Sequence, residues 1–324
     1  AALMPAPMGR EATDTRSDPR YSLSRLVKEL RNDNYEVKPL NLAVEGSVPE
    51  DCAALLIAGP TTPLTEVEIK ALTTYFDDRN GGALILLDPQ PVTRSESNLK
   101  WLLADYGVRV HVDAVGITNM QTPLGLLQTE EVPVPGEGLP DHAITSGLKG
   151  HTLVLQYACP VEVTGPGPGG MLVAERLLPA PASWGERDYQ PRARRAAEYG
   201  PGQDVAPPIA VGAVVGPQMP PQAGPMPPIP AEELPGPRLV VIGSSLSFVN
   251  AVVEMQPANL YLLQNSINWM AGKMHMLGIP PKSMEVNLVP VSDSQIRASR
   301  YIFIGVVPAC IIALGIGVWL VRRR

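Results

Sequence analysis

The chain has 324 residues, 45% of them hydrophobic, enough for the core of one large domain or two modest ones. A formal charge of −6 with no concentrated basic face argues against nucleic acid as a partner. Cys52, Cys159 and Cys310 have neither the paired spacing of a disulfide framework nor that of a zinc site, and the 36 prolines gather in loops.

Residues 1–20 are polar, Pro-containing and aperiodic, which predicts a flexible leader. An α/β domain is expected over 21–282. Leu23, Leu26, Val27 and Leu30 follow the i, i+3, i+4, i+7 spacing of an amphipathic helix. "YEVKPLNL" and the apolar run "CAALLIAG" then read as strands, the second of the kind buried on both faces. Thr65 and Glu68 have the spacing of a capping box, with Leu64 and Ile69 placed as a hydrophobic staple. The helix they open carries Leu72, Tyr75 and Phe76 inward and ends at Gly81-Gly82.

The strand "ALILL", the helix "SNLKWLLADYG" and the alternating "VRVHVDAV" follow. This rhythm predicts an α/β fold with a largely parallel sheet flanked by helices, in flavodoxin- or class I amidotransferase-like layers. The middle is less regular: "TLVLQYACPVEV", "MLVAERLL" and "IAVGAVV" read as strands, separated by Gly- and Pro-rich loops. A Pro-dense tract over 216–237 can form neither helix nor central strand, and reads as a surface excursion before the strand "RLVVIG". "NLYLLQNSINWMAG" is a helix with Leu260, Leu263, Ile267 and Met270 on one face.

Residues 283–300 read as a linker, and 301–321 as a transmembrane helix: 21 residues without a charge, long enough at ~1.5 Å per residue to span the hydrocarbon layer. A buried core helix is the alternative reading. The basic tail 322–324 favours a cytoplasmic C-terminus, a bias that Arg297 and Arg300 weaken. An outward-facing domain needs an upstream signal, and "AALMPAPMGREATD" holds none, so the chain is expected to begin after one. Gly305, Ala309, Ala313 and Gly317 recur every four residues, a small-residue strip suited to close helix packing against a membrane-embedded partner, although Gly and Ala are frequent in such helices anyway.

Reactive groups are sparse. Asp88 follows "ALILL", where α/β sheets place ligands, and could serve as a base or metal ligand. The simpler reading has it accept backbone hydrogen bonds at the turn. "GSSLS" after "RLVVIG" misses the nucleophile elbow because Ser247 stands where glycine is needed. Ser244 and Ser245 could bind an anion at a helix start, or simply cap it. "GPGPGG" lacks the Lys-Ser/Thr of a phosphate-binding loop, and four scattered histidines show no metal-ligand spacing. Neither a cofactor nor a metal is expected.

"VPEDCAALLIAGPTTPLTEVEIKALTTYFDDRNGGALILLDP" resembles the extracytoplasmic domain of gliding-motility-type auxiliary subunits of ABC transporters. The resemblance continues through "LLADYGVRV", "DHAITSGL", "ASWGE", "RLVVIGSSLSFVN" and "NLYLLQNSINWMAG", covering roughly 21–324. It implies an α/β domain outside the cytoplasm at a bacterial inner membrane, beside a permease and a separate cytoplasmic ATPase. The family commonly has Gly-Asp where Gly243-Ser244 stands here, and its upstream membrane helix and first domain are not in this chain. The resulting expectation is a non-enzymatic, membrane-anchored auxiliary component that meets substrate or partner. A hydrolase- or amidotransferase-like enzyme with a reduced site, or a scaffold of the envelope or motility machinery, are the alternatives.

Overall fold

The computed structural model describes residues 2–4, 19–90, 98–122, 125–167, 172–190, 197–217 and 234–273, with seven positions between 308 and 322. The chain begins with β1 (Ala2–Met4), α1 (Ser24–Asn32), β2 (Lys38–Pro39), α2 (Leu42–Glu45), β3 (Leu55–Ala58), α3 (Glu66–Asp77), β4 (Gly82–Leu86) and α4 (Leu99–Asp105). Short strands fill the middle: β5 (Val108–Val110), β6 (Val115–Thr122), β7 (Gly125–Thr129), β8 (Glu131–Val134), β9 (Leu153–Gln156), β10 (Val161–Val163), β11 (Leu172–Arg176), β12 (Pro179–Ala180), β13 (Ser183–Glu186) and β14 (Ile209–Ala210). β15 (Gly212–Pro217), β16 (Arg238–Ile242), α5 (Asn250–Met255) and α6 (Pro257–Met270) complete the body.

The main sheet has the order β11-β15-β16-β4-β3-β1-β2. Strands β16, β4, β3, β1 and β2 run parallel, and β15 and β11 run antiparallel at one edge. Four small antiparallel sheets stand beside it: β10-β5, β12-β14, β13-β6-β7 and β8-β9.

The reason for the apolar runs is visible in the burial. Side chains alternate across a strand. Leu56, Leu84, Leu86, Val240 and Ile242 join one core with α1 and α6, and with Val132, Val134, Leu153 and Leu155 of β8 and β9. Leu55, Ile57, Ala83, Ile85, Leu239 and Val241 join the other with α3 and α4, and with Val108, Val110 and Val161 of β5 and β10. Both faces are covered, so every central position must be apolar, and each fully buried Leu or Ile contributes roughly 1.5–3 kcal/mol.

Local signals act where they are placed. Thr65 caps α3 by accepting the Glu68 amide at 3.3 Å, while the Glu68 carboxylate accepts the Thr65 amide at 2.7 Å. Asn98 clamps the starts of α3 and α4 together: its side-chain amide receives the Leu64 N–H at 2.9 Å and donates to the Leu64 carbonyl at 2.7 Å.

The expected fold class does not hold. The sheet is mixed instead of largely parallel, and much of 108–210 forms small antiparallel sheets instead of flavodoxin- or amidotransferase-like layers. An apolar run carries no record of strand direction. A strand buried on both faces looks the same whether its neighbour runs with it or against it. The transmembrane part of that expectation is not found either: among the described residues no helix is long and apolar enough to cross a membrane. Of 301–321, only Pro308, Ile312, Gly315, Ile316, Val318 and Trp319 are among the described residues. Gly305, Ala309, Ala313 and Gly317 lie outside the described residues, as do 218–233 of the Pro-dense tract. The chain divides into two compact units, 1–281 and 282–324. The described positions of the second, Pro308, Ile312, Gly315, Ile316, Val318, Trp319 and Arg322, are all helical.

Candidate functional site

At the carboxyl ends of β4 and β16 the chain brings together Asp88, Ser244 and Ser245, from loops 157 residues apart. The Ser245 amide donates to Asp88 Oδ1 at 2.6 Å and its hydroxyl to Oδ2 at 2.5 Å. Asp88 retains some exposure, yet loss of hydration is the main influence on its carboxyl and holds its pKa above the usual carboxylate range. The hydrogen bonds from the Ser245 hydroxyl and amide and from the Leu246 amide pull the other way. Asp88 therefore does what a turn carboxylate does, binding a backbone N–H, and it also ties one parallel strand to the next.

Ser244 faces a different group. Its hydroxyl lies 2.8 Å from the Gln156 carbonyl and 2.7 Å from the Ser247 hydroxyl, and accepts the Ser247 amide at 3.1 Å. The Ser247 hydroxyl accepts the Gln156 amide at 2.7 Å. With Ser244 donating to Gln156 and Ser247 donating to Ser244, each hydroxyl both gives and receives. The helix that the two serines start is a single turn over Leu246–Phe248, and the Ser245 side chain makes no cap to it.

No histidine is among the hydrogen-bond partners of Asp88, Ser244 or Ser245 in the described residues. His111 pairs with Glu162 at 3.2 Å, and His142 packs edge-on against Trp269. Among the described residues no three His, Cys, Asp or Glu side chains gather as a metal site would require.

The space above the two strand ends is taken by the chain itself. Residues 157–160, between β9 and β10, cross it. The Cys159 amide donates to the Gly243 carbonyl at 2.6 Å, the Gly116 amide to the Ala158 carbonyl at 2.6 Å, and the His111 amide to the Pro160 carbonyl at 2.9 Å. The fit is tight: a Cβ on Gly243 would come within 1.9 Å of the Cys159 carbonyl oxygen. The Cys159 side chain is fully buried, 3.4 Å from the Leu87 carbonyl. Burial, then the charge of Asp88, drives its thiol pKa well upward, the opposite of what a nucleophile needs.

Gln156 and Cys159 are members of this cluster to which sequence reasoning gave no role, and Ser247 entered it only as the residue that breaks the nucleophile elbow. Nothing short-range marks them, because each acts on a residue 72 to 91 positions away, apart from the Ser244–Ser247 contact.

A second concavity, of about 410 Å³, lies among Tyr35, Lys38, Asp51, Cys52 and Lys273. Both of its lysines are already engaged. Lys38 reaches Glu36 at 3.3 Å and Asp51 at 3.4 Å, and the Lys273 ammonium lies 3.6 Å from the centre of the Tyr35 ring.

In comparison with known structures, the chain is similar to the mmIFT52 N-terminal domain, at 17% identity over 84% of this chain and 97% of that one, with a TM-score of 0.55. That likeness concerns the fold alone. A ThuA-like protein from Bacteroides uniformis aligns over 83% of this chain and 90% of its own at 13% identity, with a TM-score of 0.43. No curated protein matches the sequence. Residues 11–276 match the family model described as ABC-type uncharacterized transport system, with the short name ABC_transp_aux, and the chain belongs to that family of auxiliary ABC transport components.

Proposed function

We propose that this protein is a non-enzymatic auxiliary component of an ABC-type transporter, of the gliding-motility type, working at the inner membrane of a bacterium. In this reading its α/β body lies outside the cytoplasm and meets substrate or partner beside the permease. Through the permease it is linked to a cytoplasmic ATPase, and its C-terminus is cytoplasmic. The observation that carries the reading is the family match over residues 11–276. The non-enzymatic part is supported by the strand ends where α/β enzymes hold their reacting groups. Here residues 157–160 fill that place, and the hydroxyls of Ser244 and Ser247 satisfy each other. The location is supported by the uncharged stretch 301–321 and the arginines that follow it.

Affinity purification of the tagged chain from bacterial membranes tests the proposal. An ABC permease and its ATPase are expected among the co-purifying proteins. Recovery of the chain from membranes with neither would overturn the transport reading and favour an envelope scaffold. The pair Gly305→Leu and Gly317→Leu tests whether the small-residue repeat carries the contact, with loss of the permease as the expected result.

A further inference from the structure

Helix α6 carries several buried polar side chains, and its three asparagines each reach a different segment. Asn265 donates to the Ile144 carbonyl at 2.9 Å, Asn268 accepts the Tyr35 hydroxyl at 2.8 Å, and Ser266 turns back to the Leu262 carbonyl at 2.7 Å. Asn259, near the start of the helix, has no solvent exposure at all. Its amide nitrogen donates to the Val154 carbonyl at 2.9 Å and to the Ser247 carbonyl at 3.0 Å, so both amide hydrogens are spent. The orientation of this amide is therefore settled by chemistry. Rotating it by half a turn would press its oxygen against two carbonyl oxygens and strand both of them.

The amide oxygen, Asn259 Oδ1, is left buried without a donor among the described residues, and it is the one side-chain atom there in that condition. Buried acceptors are almost always paired, and a group left unpaired loses its hydration with nothing in return. The neighbouring polar groups cannot help. The Ser247 hydroxyl is engaged with Ser244 and Gln156, and the Gln156 amide is spent on Ser247. What the position lacks is one small hydrogen-bond donor, and buried water is the molecule that proteins use to satisfy such groups.

We infer that a single water molecule is bound at Asn259 Oδ1, between α6, the end of β9 and the turn at Leu246–Phe248, as an integral part of the fold. It completes a polar seam that runs from Asp88 through Ser245, Ser244 and Ser247 to Asn259. The seam joins the strand ends to the helix.

A crystal structure of the 324-residue chain, at a resolution that shows ordered water, tests this directly. Density for a water within hydrogen-bonding distance of Asn259 Oδ1 is expected. An empty space there, or a protein donor on that oxygen, would overturn the inference. Oxygen-17 relaxation dispersion in solution supplies an independent reading. Asn259→Leu puts a methyl where the oxygen stands, and should lower the count of long-lived bound waters by one relative to the wild type. An unchanged count in a folded variant would also sink the idea, and if the variant does not fold the wild-type crystal structure decides alone.

Discussion

The Asp88 carboxylate receives both the amide and the hydroxyl of Ser245, at 2.6 and 2.5 Å, and so fastens the end of β4 to the end of β16. The two residues are the nearest thing to a reactive pair in the cluster, and they are spent on each other. Asp88→Ala should therefore cost stability, about 1–3 kcal/mol for a buried N–H and O–H left unpaired. Asp88→Asn keeps an acceptor for the amide and should cost much less. The comparison also has a pH signature. Because the folded carboxyl has a raised pKa, its favourable contribution is present below the ordinary value of ~3.9 and lost as pH rises through the folded value. The Asn variant should thus gain on the wild type between pH 4 and 7, as measured by urea unfolding at each pH. A wild type that gains on the Asn variant over that range would contradict the assignment.

Gly243 admits no side chain. Its Cβ would strike a backbone carbonyl that is itself held by a hydrogen-bonded crossing segment, so there is nothing flexible to move aside. Gly243→Ala should destabilise by about 3 kcal/mol, at the upper end for overpacking. A thermal unfolding midpoint equal to that of the wild type would show that residues 157–160 do not sit across the strand ends.

His142 should make the body sensitive to mild acid. Its Nδ1 accepts the Ile144 amide at 3.2 Å, which requires that nitrogen to be unprotonated, and its ring lies 5.2 Å from that of Trp269. Burial lowers its pKa, against a smaller upward pull from Glu175. Stability from this group is present above the ordinary value of ~6.5 and lost as pH falls through the lowered folded value. His142→Leu, although less stable at pH 7.5, should lose less of its remaining stability than the wild type on going to pH 5. Parallel losses in the two proteins would remove His142 as the cause.

Thr65→Ala should cost about 1 kcal/mol by removing one half of the α3 capping box. Urea unfolding is sufficient to measure it. Glu68→Ala removes the other half, and the double variant should cost less than the sum of the two, since the residues act as one unit.

Cys159 should resist thiol reagents in the folded protein, because it is fully buried and its thiol is held in the neutral form. Cys52 is only half-buried and should react first. Peptide mapping after brief alkylation separates the two, with Cys159 labelled only once denaturant is added. Labelling of Cys159 at the rate of Cys52 would mean that the crossing segment opens readily.

What was legible in advance has a short range. The capping box at Thr65 and Glu68, the inward face of α3 at Leu72, Tyr75 and Phe76, and the doubly buried runs at 55–58 and 83–87 all come from residues within a few positions of each other. Hydropathy and hydrogen-bonding capacity suffice there, because the chain geometry over one or two turns is known beforehand. Asp88 and the two serines were also recognisable, as polar residues placed at strand ends.

Their roles were decided by the tertiary structure. Whether Asp88 meets a histidine or Ser245 depends on which strand lies beside β4, and that strand is 152 or more residues further along the chain. The same holds for the reversal of β15 and β11, for the four small sheets, and for the segment 157–160 that closes the strand ends. Sequence by itself determined which residues must leave water and where α3 begins. Strand direction and the pairing of distant polar groups are set only when the buried faces pack together, since that packing chooses among neighbours that the chain's local chemistry treats alike.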